Sequence, residues 1–195
     1  ARYSEIDITL NNEQGGVIFP INNVLLSNTC QKVTAVYHAN GKDIWLMLHQ
    51  FNSNAFYAYL VTSNGINLSP IVSNTGSVHE NPIPYNVSQH GTYGEMKFST
   101  NGKRLAVAIR GLSLFEIFDF NNETGVVYNP ISIPVEAAES VEFSPDGDIA
   151  YVGTIQEGIY PILNYSAIYQ IDLLAGDSIA VVNSKIRIDN LLPNF

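Results

Sequence analysis

Met96-Lys-Phe-Ser-Thr-Asn-Gly-Lys-Arg-Leu-Ala-Val107 decides the fold, because an apolar alternating run ends there in an Asn-Gly turn and a second apolar run follows at once. The same cassette occurs as Ala35-Val-Tyr-His-Ala-Asn-Gly-Lys-Asp-Ile-Trp-Leu46 and as Val141-Glu-Phe-Ser-Pro-Asp-Gly-Asp-Ile-Ala-Tyr-Val152. Alternation with a period of two predicts strands, and Asn-Gly or Asp-Gly predicts the tight turn of a hairpin. Three copies predict an array of β-sheets.

The spacing of the copies predicts the kind of array. Their glycines, Gly41, Gly102 and Gly147, are separated by 61 and 45 residues, which is the range of a four-stranded propeller blade with a variable insertion. A second turn signal follows each of them: Asn64-Gly65, Thr124-Gly125 and Ala175-Gly176. Each unit is therefore predicted to be a meander of four strands, A to D, with tight turns from A to B and from C to D.

Individual strands support this interpretation. Alternating apolar pairs in strand A predict one face packed on the neighbouring blade: Ala35 and Tyr37, Met96 and Phe98, Val141 and Phe143. We expect strand D of the last unit to run from Ile179 to Ile188, and we find no convincing helix in the sequence. The predicted fold class is all-β, a β-propeller segment of four-stranded antiparallel meander blades.

The two ends of the chain suggest an incomplete ring. Glu5–Gly15 matches Glu116–Gly125, so the chain is expected to begin inside a blade at strand C. We predict one β-propeller segment of about three and a half blades: residues 1–29 as a partial blade, 30–92 as a blade with a long connection, 93–139 and 140–195 as further blades. An arc of that size cannot close, because propellers need four to eight blades. We expect an internal segment of a larger closed propeller; the alternative is self-association through open blade edges.

Composition limits the partners. The 195 residues suit a single repetitive domain, and the net charge of −9 argues against nucleic acid and anionic membranes as partners. No run of 18 apolar residues suggests insertion in a membrane.

Titratable residues give no clear catalytic or metal motif. Cys30 is the single cysteine, so an internal disulfide is excluded, and we expect it to have no nucleophilic role. His38, His49, His79 and His90 follow no metal-ligand spacing and are expected to be polar surface residues. Acidic turns such as Asp146-Gly147-Asp148 do not follow the calcium-loop pattern. We therefore predict no metal and no cofactor.

The repeats resemble a known family. Tyr93–Ala106, Phe115–Gly125 and Ser140–Val152 resemble the WD-repeat-like β-propeller of large Bacteroidetes surface proteins, which carry a gliding-motility-associated C-terminal sorting domain for type IX secretion. The resemblance covers about residues 30–190. It implies a secreted or cell-surface protein associated with the outer membrane, with a non-enzymatic role in adhesion or protein binding.

The loops opposite the tight turns are the expected binding face. Candidate residues there are His49, Phe51, Tyr85, His90, Arg110, Tyr160 and Tyr165. Aromatic side chains on such loops can stack on sugars or anchor a protein, and they can equally plug gaps between blades. We predict a binding or spacer module without enzymatic activity, whose partners are a protein or glycan at the cell surface and the remainder of the parent chain.

Two alternatives stay open. One is a mechanical spacer without any ligand. The other is a propeller hydrolase, lactonase-like, with a metal in the central channel. The hydrolase needs carboxylates or histidines at the channel ends of several strands A, and the expected first positions are Thr34, Glu95 and Ser140, of which only Glu95 suits the role.

Overall fold

The computed structural model describes residues 1–81, 91–155 and 166–189. Within these ranges the strands are β1 (Arg2–Asp7), β2 (Gly16–Val24), β3 (Thr29–Tyr37), β4 (Ile44–Gln50), β5 (Ala55–Thr62), β6 (Gly65–Ile66), β7 (Ile71–Asn74), β8 (Met96–Phe98), β9 (Arg104–Ile109), β10 (Leu114–Asn121), β11 (Val126–Pro134), β12 (Ala138–Phe143), β13 (Ile149–Thr154), β14 (Ile168–Asp172) and β15 (Ile186–Arg187). The helical segments are a 3₁₀ turn (Arg110–Leu112) and α1 (Ser178–Asn183), and Leu10–Glu13 forms a turn in which Asn11, Asn12 and Glu13 have positive φ.

The strands form four antiparallel sheets in chain order. Sheet I pairs β1 with β2, and sheet II has the order β3-β4-β5-β6 with β7 also paired to β5. Sheet III has the order β8-β9-β10-β11, and sheet IV has the order β12-β13-β14-β15. Because sequential strands are neighbours, each sheet is a meander. The predicted all-β class with four-stranded antiparallel blades is confirmed.

The tight turns gather at one end of the sheets, which we call the turn end. The Asn101 amide donates a hydrogen bond of 2.8 Å to the Asp146 carbonyl, so the β8–β9 turn touches the β12–β13 turn. Similarly, Trp45 Nε1 donates to the Asn122 carbonyl at 2.9 Å and joins sheet II to the β10–β11 turn. The opposite end, where β4 leads to β5 and where the sheets connect, is called the loop end.

Two apolar layers lie on either side of sheet III. Along β9, Leu105 and Val107 belong to the layer shared with sheet II, and Ala106 and Ala108 belong to the layer shared with sheet IV. This alternation is what period-two patterning dictates, since successive side chains of a strand point to opposite faces. Both apolar layers stack the sheets as blades against one another.

Sheet II is covered less well on its other side. The predicted strand A pairs of sheets III and IV are buried, but Ala35 and Tyr37 of β3 are both exposed, Tyr37 to 65%. The prediction of a packed face is therefore wrong for the Ala35–Tyr37 pair, because the two strands of sheet I leave part of β3 uncovered. A cavity of about 450 Å³ lies between β1 and β3.

The last unit contains a helix where the sequence analysis predicts a strand. Ser178–Asn183 is α-helical, and strand D shortens to Ile186–Arg187. The Asp177 side chain caps the helix by accepting a bond of 2.9 Å from the Ala180 amide. Val181 buries itself in the sheet III–IV layer. A capping carboxylate and one well-placed apolar contact thus outweigh the strand preference of a β-branched run.

Candidate functional site

Three of the candidate residues predicted from the sequence lie in the described part of the chain. His49 is fully buried, Arg110 is 8% exposed, and Phe51 is half-buried. The other candidates, Tyr85, His90, Tyr160 and Tyr165, lie outside the described residues. The loop end therefore holds buried titratable groups, rather than the surface histidine expected at His49.

The first strands of sheets II, III and IV bring charged residues of the three sheets together. Strand β8 contacts β3 on one side and β12 on the other, so these first strands of sheets II, III and IV lie side by side. At their loop end, Lys32 comes from β3, Arg110 follows β9, and Glu139 belongs to β12. Sequence reasoning considered Thr34 and Ser140 as channel positions, but β3 and β12 begin earlier, at Thr29 and Ala138.

Lys32 is held inside the protein by backbone oxygens. Its Nζ donates to the carbonyls of Thr92 at 2.9 Å and Tyr93 at 2.8 Å, and only 2% of the residue is exposed. Burial lowers the pKa of Lys32 to about 8, while the charge of Glu139 acts in the opposite direction. This ammonium ties the start of sheet III to sheet II.

Arg110 and Glu139 form an ion pair between sheets III and IV. Arg110 Nη1 lies 3.5 Å from Glu139 Oε2, and the guanidinium sits 5.8 Å from the centre of the Tyr93 ring. The Arg110 side chain is 10% exposed and the Glu139 side chain 29% exposed, but the Glu139 Oε2 atom that faces Arg110 is itself buried. Glu139 Oε2 accepts no hydrogen bond from the residues that the structure describes.

Irregular backbone positions these side chains. The β12–β13 register shifts between Ala138 and Ser140, which leaves Glu139 outside the regular ladder. The Glu139 carbonyl instead accepts a bond of 2.7 Å from the Glu95 amide of the next sheet. Lys32 lies in a similar irregularity, between Thr29 and Val33 of β3. Such bulges turn a side chain out of its strand pattern and recur beside functional sites.

Glu95, the channel residue singled out from the sequence, has a structural contact. Its Oε2 accepts a hydrogen bond of 2.8 Å from the Val141 amide. Lys32 and Glu139 were missed because sequence reasoning placed the strand starts too late. The available signal was a charge inside each apolar run, at Cys30-Gln-Lys-Val33 and Ala138-Glu-Ser-Val141.

A channel metal does not fit this group of charges. Among the described residues, Glu139 supplies one carboxylate next to the cations Arg110 and Lys32, and the nearby Glu95 carboxylate already accepts a hydrogen bond from the Val141 amide. A divalent cation prefers several oxygen or nitrogen ligands, which is more than these described residues offer. The arrangement instead suits an anionic or polarised oxygen close to Arg110.

Comparison with solved structures identifies the class of fold. A protein named as a candidate 6-phosphogluconolactonase from Bacteroides fragilis matches over 94% of this chain and 48% of its own, with a TM-score of 0.54 and 12% identity. The PQQ domain of a pyranose dehydrogenase from Coprinopsis cinerea matches over 76% of this chain and 34% of its own, with a TM-score of 0.51 and 13% identity. These likenesses show a β-propeller-like fold.

The periplasmic gluconolactonase of Pseudomonas aeruginosa also matches, over 74% of this chain and 36% of its own, with a TM-score of 0.42 and 15% identity. The chain thus spans about half or less of the solved structures that it matches. No protein-family model matches the sequence, and no curated protein is significantly similar to it. None of the described helices is long and apolar enough to span a membrane.

The comparison corrects the functional prediction. The sequence analysis predicts a non-enzymatic binding or spacer module, but the Bacteroides fragilis neighbour, which matches almost the whole chain, bears the name of a lactonase. This finding contradicts both the spacer prediction and the prediction that the protein is not an enzyme. It favours the lactonase-like hydrolase that the sequence left as an alternative.

Proposed function

We propose that the chain contributes the catalytic end of a propeller hydrolase that opens lactone rings. The observation that carries this proposal is the Glu139 carboxylate, which keeps an oxygen without a hydrogen bond among the described residues at 3.5 Å from Arg110. Lys32 adds a second cation from the neighbouring sheet. Three successive blades thus place one base and two positive charges around the inner edge of the loop end.

These groups match the needs of ester hydrolysis. Glu139 accepts a proton from water while the water oxygen bonds to the lactone carbonyl carbon. The Arg110 guanidinium stabilises the negative oxygen that develops on that carbonyl. The bond to the ring oxygen then breaks, and the proton held by Glu139 passes to that oxygen. One lactone and one water yield one hydroxy acid, with no oxidant or reductant.

The charge of the site favours acidic sugar lactones. With Arg110 on the carbonyl oxygen, Lys32 adds positive potential close by, and that potential attracts an anionic group elsewhere on the substrate. The name of the Bacteroides fragilis neighbour points to a phosphorylated sugar lactone as the substrate of that protein. We therefore propose sugar-acid lactones as the substrate class, with the phosphorylated ones preferred.

A substrate panel tests the activity. The protein is assayed by pH-stat with glucono-δ-lactone, 6-phosphogluconolactone and a homoserine lactone, each corrected for spontaneous hydrolysis. We expect turnover of the sugar lactones and a higher kcat/KM for the phosphorylated one. Hydrolysis of all three at the buffer rate would overturn the proposal.

The substitution Arg110→Gln tests whether activity depends on this guanidinium or on positive charge anywhere on the protein. We expect kcat/KM to fall about 100-fold, since removing one donor to a developing oxyanion typically costs 10²–10³. Arg104→Gln is the matched control, because Arg104 begins strand β9, which Arg110 follows, and pairs with Asp119 at 3.3 Å at the turn end. Equal losses in both variants would contradict the assignment of Arg110.

We also propose that the protein is secreted or displayed on the cell surface. The proposal is supported by the resemblance of Tyr93–Ala106 and Ser140–Val152 to the propellers of Bacteroidetes surface proteins that use type IX secretion. Its proposed partners are the remainder of the parent chain and a protein or glycan at the surface. Cell fractionation with an antibody against this chain tests the location; recovery in the cytoplasmic fraction would contradict it.

A further inference from the structure

A second group of titratable side chains lies deeper at the loop end. Cys30, His49 and His79 are 5%, 0% and 0% exposed, and one ligand atom from each lies within 4.8 Å of the others. Cys30 Sγ is 3.7 Å from His49 Nδ1 and 3.8 Å from His79 Nδ1. The two imidazoles stack, with ring centres 3.6 Å apart and planes inclined by 17°.

The backbone holds all three residues in place. Cys30 and His49 lie on the adjacent strands β3 and β4, next to the paired residues Thr29 and Gln50. His79 is fixed through its main chain: its amide donates to the Ser53 carbonyl and its carbonyl accepts from the Asn52 amide, both at 2.9 Å. The group is therefore built by regular pairing and a locked loop, rather than by chance contact of mobile side chains.

The hydrogen-bonding capacity of the group is not satisfied within the described residues. The Nε2 atoms of His49 and His79 are buried there without a hydrogen-bond partner. The Cys30 thiol has one proton, so it can donate to only one of the two imidazoles that it faces. Buried polar atoms without partners are costly and call for an explanation. A cation bound by the Cys30 sulfur and both Nδ1 atoms accounts for the convergence of two imidazoles on one thiol, whereas the Nε2 atoms keep no partner among the described residues.

The separations also fit a metal. Zinc binds cysteine sulfur at about 2.3 Å and histidine nitrogen at about 2.0–2.1 Å, so a tetrahedral site places sulfur and nitrogen about 3.6 Å apart. The observed values of 3.7 Å and 3.8 Å are close to that separation. The stacked rings must rotate slightly on binding, because their lone pairs run almost parallel and need to converge on one point.

We propose that Cys30, His49 and His79 bind one Zn²⁺ ion, with water as the fourth ligand. Mixed sulfur and nitrogen ligands select zinc over calcium and magnesium, which prefer oxygen. The cavity between β1 and β3 is lined by Cys30, one of the three ligands. The positive charge of the Lys32 ammonium interacts electrostatically with Cys30 and His49. It therefore also repels a zinc ion bound to them. We therefore expect a dissociation constant near the micromolar range.

This site replaces the sequence prediction that no metal binds, and it is independent of the proposed hydrolase activity. Its role is structural: it links β3, β4 and the loop that carries His79. Binding displaces the thiol proton, because the thiolate is the ligand. An ion that binds only the folded chain must also raise the melting temperature.

The first test is metal content and cobalt spectroscopy. The protein is purified without added metal, its metal content is measured by mass spectrometry, and the metal-free form is titrated with Co²⁺. We expect up to one zinc per chain, one bound Co²⁺, and a near-ultraviolet band from sulfur-to-cobalt charge transfer. Stoichiometric copper in the purified protein, or no cobalt binding, would overturn the proposal.

The second test uses variants. Cys30→Ser should abolish the charge-transfer band, and His79→Gln should weaken zinc binding at least tenfold. The control His38→Gln, in the β3–β4 turn at the turn end, should bind zinc as the unaltered protein does. Circular dichroism confirms that each variant is folded. At 100 times its dissociation constant, zinc should raise the melting temperature by about 5–10 °C in the unaltered protein and in His38→Gln only. A charge-transfer band that survives in Cys30→Ser would refute the site.

Discussion

The turn end and the loop end of the same sheets differ in how their polar groups are satisfied. At the turn end, polar side chains are exposed and bond to the nearest backbone. Asn40 Oδ1 accepts from the Lys42 and Asp43 amides, and Asp146 Oδ1 accepts from the Asp148 amide at 3.1 Å. Each such bond completes a turn and needs nothing from another sheet.

At the loop end, titratable side chains are buried and depend on other sheets. Lys32 bonds to the start of sheet III, and Glu139 meets Arg110 across sheets III and IV. In the described residues, Glu139 Oε2 and the Nε2 atoms of His49 and His79 lack hydrogen bonds. Groups held in this way cost stability, and among the described residues they lie at the loop end, which is why we propose the site there.

Glycine substitutions should show the largest difference between the two ends. A Cβ at Gly94 would lie 2.3 Å from the Ala108 carbonyl oxygen, with φ at +101°. Gly94→Ala should therefore lower the free energy of unfolding by more than about 4 kcal/mol. Gly41→Ala at the turn end meets no atom within 4 Å and should cost about 1 kcal/mol, through its φ of +67° alone. Urea unfolding measures both; similar losses would show that the loop end is no more tightly packed.

Acid should destabilise the loop end through its buried histidines. Burial lowers the pKa of His49 to about 3 and the pKa of His79 well below 6.5. In the unfolded chain both imidazoles bind protons below about pH 6.5, while the folded, metal-free protein does not. Stability is therefore complete above pH 6.5 and falls as the pH falls, by about 2 kcal/mol for each imidazole between pH 7 and pH 5.

The measurement is the free energy of unfolding in the presence of EDTA at pH 7, 6 and 5. His49→Gln should flatten the slope, and His38→Gln should leave it unchanged. An identical slope in His49→Gln and the unaltered protein would show that the buried imidazole does not titrate as described.

The sequence predicts the fold well because strand periodicity and Asn-Gly turns are local signals. The cassette around Gly102 is sufficient to give the β8–β9 hairpin, and the other two cassettes give the β3–β4 and β12–β13 hairpins. The helix at Ser178–Asn183 escapes prediction because its stability depends on Val181 packing against another sheet.

The functional groups are harder to predict for the same reason. Lys32, Arg110 and Glu139 meet only through the stacking of three sheets, and no sequence spacing records that contact. Cys30 and His79 are 49 positions apart and come together only after a loop bonds to Ser53. The sequence predicts a binding face at the loop end, which stays a prediction, and it gives no signal for the contacts among these buried groups.

Loss of one turn-end side chain should have the smallest effect. Asn101 Oδ1 accepts from the Lys103 amide at 3.1 Å, and its Nδ2 donates to the Asp146 carbonyl at 2.8 Å. Asn101→Ala should cost about 1 kcal/mol and leave hydrolysis unchanged, because both bonds are exposed to solvent and lie at the end opposite Glu139. Asn64→Ala serves as the control, since its side chain makes no hydrogen bond in the described part of the chain. A loss above about 3 kcal/mol for Asn101→Ala would mean that the turn end is more than a set of local turns.

The most direct test of the account is the hydrolysis rate of Glu139→Gln beside that of Glu142→Gln. Both residues belong to β12, but Glu142 pairs with Lys97 at 2.6 Å on the exposed side. If Glu139 is the general base, kcat/KM for a sugar-acid lactone should fall at least 100-fold in Glu139→Gln. It should stay within twofold of the unaltered protein in Glu142→Gln. Full activity in Glu139→Gln would contradict the assignment of catalysis to the loop end.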